Sequence, residues 1–204
     1  MRAQTLKTVS VLRRLLLRLS PVRVVEASAR RASHGLSGIS PIDDLRIAEA
    51  FMNLNKAVLY EGTVAEELKM LVSLIASQAS GCRYCQAHMA NLSSIYHASD
   101  EKIRAVWEFE TSALFSAAER AALRLAYHAA LVPNVASAKD FDELKRHFDE
   151  GQIVEIVATI ALFGYLNRWN DTMATSLEDR ALTVAQRAIG TVGWIPGKHA
   201  GGTA

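Results

Sequence analysis

The chain has 204 residues, 50% hydrophobic and 22% charged, with a formal net charge of +2; this excludes a disordered or collagenous chain and supplies no excess of positive charge for neutralising a nucleic-acid backbone. The longest apolar stretch, Ile156 to Leu166, is about half of the ~20 residues a transmembrane helix needs, and it contains Thr159 and Gly164. Four prolines, 11 glycines, abundant Ala and Leu and little strand-type alternation make an all-α domain of about six to eight helices the expectation.

The first 25 residues hold Arg2, Lys7, Arg13, Arg14, Arg18 and Arg23, with no acidic residue before Glu26, and Thr5, Thr8, Ser10 and Ser20 add hydroxyls. On a helical wheel Val9, Leu12, Leu15, Leu16 and Leu19 share one side, and Lys7, Ser10, Arg14 and Arg18 the other. Such a segment is an amphipathic helix packed on the body of the protein or on a neighbouring subunit, a presequence, or a surface-binding helix. Arg13, Arg14 and Arg18 interrupt the apolar run that a secretory signal requires. The expected location is the cytoplasm, or the mitochondrial matrix if residues 1–33 are a presequence.

A basic extension over 1–40 then gives way to an apolar-periodic helical domain over 41–190 and a flexible tail over 191–204 rich in glycine. Ser20-Pro21 and Ser40-Pro41 each place a hydroxyl at an N-cap and a proline at the first helical position. The first of these helices ends near Gly35, and the second runs through Phe51 and Val58 toward Gly62. Thr63 with Glu66, and Ser116 with Glu119, have capping-box spacing ahead of apolar-periodic segments. Further helices are expected over 82–97, 100–108, 138–149, 151–175 and 179–189, with breaks at Pro133-Asn134 and Glu150-Gly151.

The chemistry-bearing segment is Ser80-Gly81-Cys82-Arg83-Tyr84-Cys85-Gln86-Ala87-His88, which contains the chain's two cysteines. Residues three apart on a helix are neighbours, so Cys82 and Cys85 can close a disulfide with little backbone change. In a first helical turn, free N–H groups and the positive helix end favour thiolate over thiol. His88 lies about one turn along and roughly 60° round from Cys85, placed to accept its proton. A zinc site is an alternative, but it takes four ligands, and the chain has neither another cysteine nor a second histidine pair at ligand spacing. Two inert packed cysteines are the other alternative.

This segment, preceded by Leu68-Lys-Met-Leu-Val-Ser-Leu-Ile-Ala-Ser-Gln-Ala79, resembles the core of the carboxymuconolactone decarboxylase family in its AhpD-like alkylhydroperoxidase branch. Residues 51–62, 106–110 and 115–123 and Asn167-Arg-Trp-Asn-Asp171 are similar to stretches of the same branch, with a weaker echo in Gly193-Trp194 and Gly197-Lys198-His199. The resemblance implies an all-helical fold assembled as a homo-oligomer, a trimer or hexamer. It also implies a thiol-dependent alkyl hydroperoxidase with no cofactor beyond a redox-active Cys82–Cys85 disulfide. Its partners would be a small-molecule hydroperoxide and a protein or small-molecule thiol as electron donor. In those roles Cys85 is the peroxidatic thiolate, Cys82 resolves the sulfenic acid, and His88 relays the proton.

Helix-end position alone would favour Cys82 as the reactive thiol by about 1 kcal/mol, whereas a positioned proton relay is worth ~10²- to 10⁴-fold in rate and favours Cys85. The family's peroxidases place a histidine four residues after the second cysteine, here Met89, and a glutamate twelve residues before the first, here Met70. Glu67, one turn back, is the expected substitute for the latter. Alternative functions are a general dithiol-disulfide oxidoreductase, a lactone-processing enzyme of the decarboxylase type, and a non-catalytic oligomeric binding protein.

The remaining features read as structural. Phe163, Tyr165, Trp107 and Trp169 are expected as core or subunit-contact aromatics, and His34, His97, His128 and His147 share no spacing. Residues 153–166 are apolar nearly all round, so some of their neighbours are expected in another chain.

Overall fold

The computed structural model describes residues 44–201, and every regular element among them is helical. In chain order these are α1 (Leu45–Leu59), α2 (Glu66–Ala79), α3 (Arg83–Ile95), α4 (Asp100–Arg104), α5 (Ala117–Ala130), α6 (Ala138–Leu144), α7 (Glu150–Met173) and α8 (Asp179–Ile189). Short 3₁₀ turns cover Ala105–Glu108, Gly190–Val192 and Gly197–His199. The expected N-terminal helix, Ser20-Pro21 and Ser40-Pro41 lie outside the described residues. The helix expected after Ser40-Pro41 starts at Leu45, capped by the Asp44 carboxylate, which accepts from the Arg46 N–H at 3.0 Å.

α2 is the hub, packing against α3, α5 and α7, while α8 packs on α3. Leu68 through Ser77 of α2 are all buried. The two serines in that run tolerate burial because Ser73 and Ser77 each donate a hydroxyl at 2.7 Å to the carbonyl four residues back. The buried Lys69 donates to the carbonyls of Val58 at 2.9 Å and Glu61 at 2.5 Å and pairs with Glu155 of α7 at 2.8 Å. Glu155 also accepts the backbone N–H of Thr63 at 2.8 Å and of Val64 at 3.1 Å. This is where the expected Thr63–Glu66 capping box fails. Thr63 turns to Glu155, and α2 begins after Ala65 with no side-chain cap. The Ser116–Glu119 capping box does form at the start of α5.

The second half follows the expected periodicity with shorter elements. α6 stops at Leu144 instead of reaching 149, and α7 opens on a capping box between Asp149 and Gln152. One face of α7 buries Ile156, Ile160, Leu162, Phe163, Asn167 and Asn170. The opposite face leaves Val154 67% and Tyr165 44% exposed. Tyr165 stacks between Phe51 and Trp169, with ring centroids 5.7 and 6.1 Å away. Of the tail expected to be flexible over 191–204, the described residues are anchored at two points. Trp194 and His199 are buried, the Trp194 indole N–H donates to the Arg83 carbonyl at 3.3 Å, and the Leu177 N–H donates to the His199 carbonyl at 2.9 Å.

Candidate active site

The two cysteines sit where α2 turns into α3, and the turn explains their placement. Gly81 has φ +76°, the left-handed region that favours glycine. Its N–H bonds the Gln78 carbonyl at 2.9 Å, and the Cys82 N–H bonds the Ser77 carbonyl at 3.1 Å. These two bonds form the Schellman ending of a helix. Cys82 is thus both the last residue of that ending and the N-cap of α3. Its Sγ takes the place of the usual cap oxygen, accepting the Cys85 N–H at 3.4 Å.

Both thiols are free and buried, and their surroundings push them apart. A hydrogen bond from the Cys85 thiol outweighs burial at Cys82, helped by the backbone N–H groups of Cys85 and Tyr84, and lowers the Cys82 pKa. Burial raises Cys85 well above the ordinary range, and the Cys82 sulfur adds to the rise. The Asn170 amide opposes it by donating to Cys85 Sγ at 3.6 Å. The charge of Asp171, next on α7, disfavours the thiolate at both sulfurs.

His88 lies on α3 one turn beyond Cys85, but its Nε2 is 2.7 Å from Glu178 Oε2, and it makes no hydrogen bond to either sulfur. The Tyr84 hydroxyl donates to the other Glu178 oxygen at 3.2 Å, and the Tyr84 ring lies against His88 with centroids 4.4 Å apart. Burial works against the Glu178 carboxylate, yet the hydrogen bond and charge of His88 leave its pKa below the ordinary value. His88 is thus held by Glu178, and the helix end and thiol–thiol hydrogen bond favour Cys82 as the first to ionise.

Glu67, the expected substitute for the position held by Met70, pairs through its carboxylate with Lys102 of α4 at 2.7 Å, and Lys102 also holds Glu119 of α5 at 2.6 Å. Met70 and Met89 are themselves buried. Asn170 contacts Cys85 Sγ, Asp171 and Tyr84 act on both sulfurs, and Glu178 and His199 lie against Tyr84. Asn170 and Asp171 lie in the stretch 167–171, and His199 lies in the weak echo at the C-terminus, the one signal for it in the sequence. Among the described residues no group of three or more His, Cys, Asp or Glu could hold a metal ion, and no helix is long and apolar enough to cross a membrane.

Residues 46–128 match the model of the carboxymuconolactone decarboxylase family. Two crystal structures of the debrominase Bmp8, one apo and one of a cysteine-to-alanine variant in complex with 2,3,4-tribromopyrrole, are each 31% identical to this chain. Each match covers 83% of this chain and 95% of the other, with a TM-score of 0.70. An uncharacterized peroxidase-related protein from Ralstonia eutropha JMP134, solved as an alkylhydroperoxidase AhpD core, shares the fold. It has a TM-score of 0.62 and 22% identity over 69% of this chain and 75% of that one. The uncharacterized protein YdfG of Bacillus subtilis (strain 168) is 24% identical over 112 residues, 54% of this chain and 74% of YdfG.

Proposed function

The chain belongs to the carboxymuconolactone decarboxylase family, and from that premise we propose that it is a thiol-dependent hydroperoxidase-like oxidoreductase whose Cys82–Cys85 dithiol gives two electrons to its substrate. The observation that carries this reading is the Cys82 sulfur at the N-cap of α3, hydrogen-bonded by the Cys85 backbone, with a second free thiol one turn away. Cys82 is the nucleophile. Its thiolate attacks the terminal oxygen of a hydroperoxide, the S–O bond forms as O–O breaks, and the sulfur is oxidised to a sulfenic acid. The departing alkoxide takes up a proton and leaves as an alcohol. The Cys85 thiol then attacks the sulfenic sulfur, and water leaves as the disulfide closes, which guards against over-oxidation. His88, oriented by Glu178, serves as the proton relay as Cys85 reacts. An external thiol, protein or small molecule, returns the site to the dithiol.

A second reading is reductive removal of bromine from an aromatic ring, favoured by the 31% identity to a debrominase across 95% of that protein. It uses the same two electrons and ends in the same disulfide. The two readings are separated by offering reduced protein an alkyl hydroperoxide or a brominated pyrrole in stoichiometric amount. Disulfide formation with alcohol release supports the first, and bromide release without peroxide consumption supports the second. Unchanged thiols with both substrates contradict both.

A further inference from the structure

The side chain of Asn170 is fixed against the second sulfur of the dithiol. Where α7 ends, the Asn170 backbone carbonyl accepts the N–H of Ala174 and, at 3.2 Å, that of Thr175. In the side chain, the atom 3.0 Å from the Leu166 carbonyl is the amide nitrogen, because a carbonyl only accepts. That nitrogen carries two hydrogens. One goes to Leu166, and the other is donated to Cys85 Sγ at 3.6 Å. Asn170 and Cys85 are both buried, and a donor to a charged sulfur is worth more there than in water.

Cys85 must lose its proton to attack the oxidised Cys82, and most of its surroundings resist that. Burial, the Cys82 sulfur and the charge of Asp171 all disfavour the Cys85 thiolate, and the Asn170 amide is the one strong influence in its favour. Of the other titratable groups nearby, Tyr84 is neutral and its hydroxyl is given to Glu178. His88 is held by the same carboxylate. The buried run of α2, which packs on α3, carries one titratable group, Lys69, and that is paired with Glu155. Asn167, one turn before Asn170 on the same buried face, has an amide with no hydrogen-bond partner among the described residues. Burial of an amide on this face therefore does not by itself bring it to a sulfur.

We propose that Asn170 is a catalytic residue of the resolving step, its amide donating to the Cys85 sulfur as that thiol gives up its proton and attacks Cys82. This deepens the dithiol reading above and rests on Cys82 reacting first. In the step, the Cys85 thiolate attacks the sulfenic sulfur of Cys82, and the S–S bond forms as the S–O bond breaks. The sulfenic sulfur is reduced and the Cys85 sulfur oxidised. The hydroxide that leaves takes up the proton Cys85 released, so the products are the disulfide and water. Asn170 neither gains nor loses a proton. It stabilises the negative sulfur that the buried site otherwise disfavours.

The test uses the full chain with Asn170→Leu, close in shape and without a donor, and Asn167→Leu as the control. One equivalent of 4,4′-dithiodipyridine per chain separates the two thiols without any peroxide. Cys82 opens the reagent and releases a first thiopyridone, and Cys85 then attacks the mixed disulfide on Cys82 and releases a second. The expected result for Asn170→Leu is an unchanged first release and a second release about 10-fold slower near neutral pH, the deficit shrinking as pH rises and Cys85 ionises unaided. With tert-butyl hydroperoxide, the same variant should keep its first oxidation and hold a dimedone-reactive sulfenic acid on Cys82 for longer. Asn167→Leu should leave both releases as in the parent. If Asn170→Leu does not fold, Asn170→Asp, which replaces the donor by a charge, is expected to slow the second release at least as much. An unchanged second release, equal slowing of both releases, or the same loss in Asn167→Leu overturns the proposal. If the parent protein ignores the hydroperoxide, the hydroperoxidase reading falls, and the second release still decides the role of Asn170.

Discussion

The sulfur of Cys82 accepts the backbone N–H of Cys85 at 3.4 Å, so one cysteine caps the helix that carries the other. This contact places the sulfur with the lowered pKa at the positive helix end, and burial raises that of the second thiol.

The two thiols therefore separate in a pH titration. Alkylation by iodoacetamide, followed residue by residue by mass spectrometry, is expected to show Cys82 reacting with a midpoint below that of an ordinary cysteine and Cys85 with one above it, from the lowered and raised values at the two positions. A common midpoint for both would contradict the assignment.

Cys82→Ser is expected to abolish hydroperoxide consumption, whereas Cys85→Ser permits one oxidation per chain and leaves a sulfenic acid on Cys82. Trapping with dimedone locates it. His88→Ala is expected to slow closure of the disulfide without preventing it, since the ring contacts Glu178 and neither sulfur.

The Lys69–Glu155 pair makes the fold acid-labile. Glu155 is lowered from 4.5 to about 2, where the hydrogen bond from Lys69 and the N–H groups of Thr63 and Val64 outweigh burial. A depressed carboxyl contributes stability above its unfolded value and loses it as pH falls through the folded one, so this contribution is full above about pH 4.5 and is lost toward pH 2. Glu155→Ala, which strands the buried Lys69 ammonium, is expected to cost about 3–5 kcal/mol in urea unfolding at neutral pH. The acid sensitivity should be smaller in the variant.

At Gly81, an added Cβ meets nothing within 4 Å, so Gly81→Ala tests backbone strain alone at φ +76°. A loss of roughly 1–2 kcal/mol in thermal or urea unfolding is expected, together with a shift in the Cys82 alkylation midpoint as the turn that places the N-cap relaxes.

The face of α7 with Val154 and Val157, 67% and 39% exposed, together with Leu54 of α1 at 52%, is apolar surface that water covers in an isolated chain. Association through this face is expected to give a trimer or hexamer by light scattering, and Val154→Glu is expected to weaken it. A monomer mass at micromolar concentration would contradict this.

Much of the fold is legible in the sequence because helix starts are local chemistry. Ser116 with Glu119 announces α5, and the apolar run after 150 announces α7. Thr63 with Glu66 misleads for a tertiary reason: a carboxylate 92 residues away, Glu155, captures the threonine first. The cysteine pair is legible because spacing of three on a helix is itself the geometry. Its surroundings are not, since packing of α7 brings Asn170 and Asp171 to it, while Glu178 and His199 arrive against Tyr84. That packing also diverts His88 to Glu178 and Glu67 to Lys102, two destinations that no local spacing encodes.

The most direct test of the dithiol account is mass spectrometry of the fully reduced protein before and after one equivalent of alkyl hydroperoxide. The account predicts one molecule of alcohol per chain, loss of both thiol hydrogens, and a peptide pair joined through Cys82 and Cys85. Recovery of both cysteines as free thiols with the hydroperoxide unconsumed would contradict it.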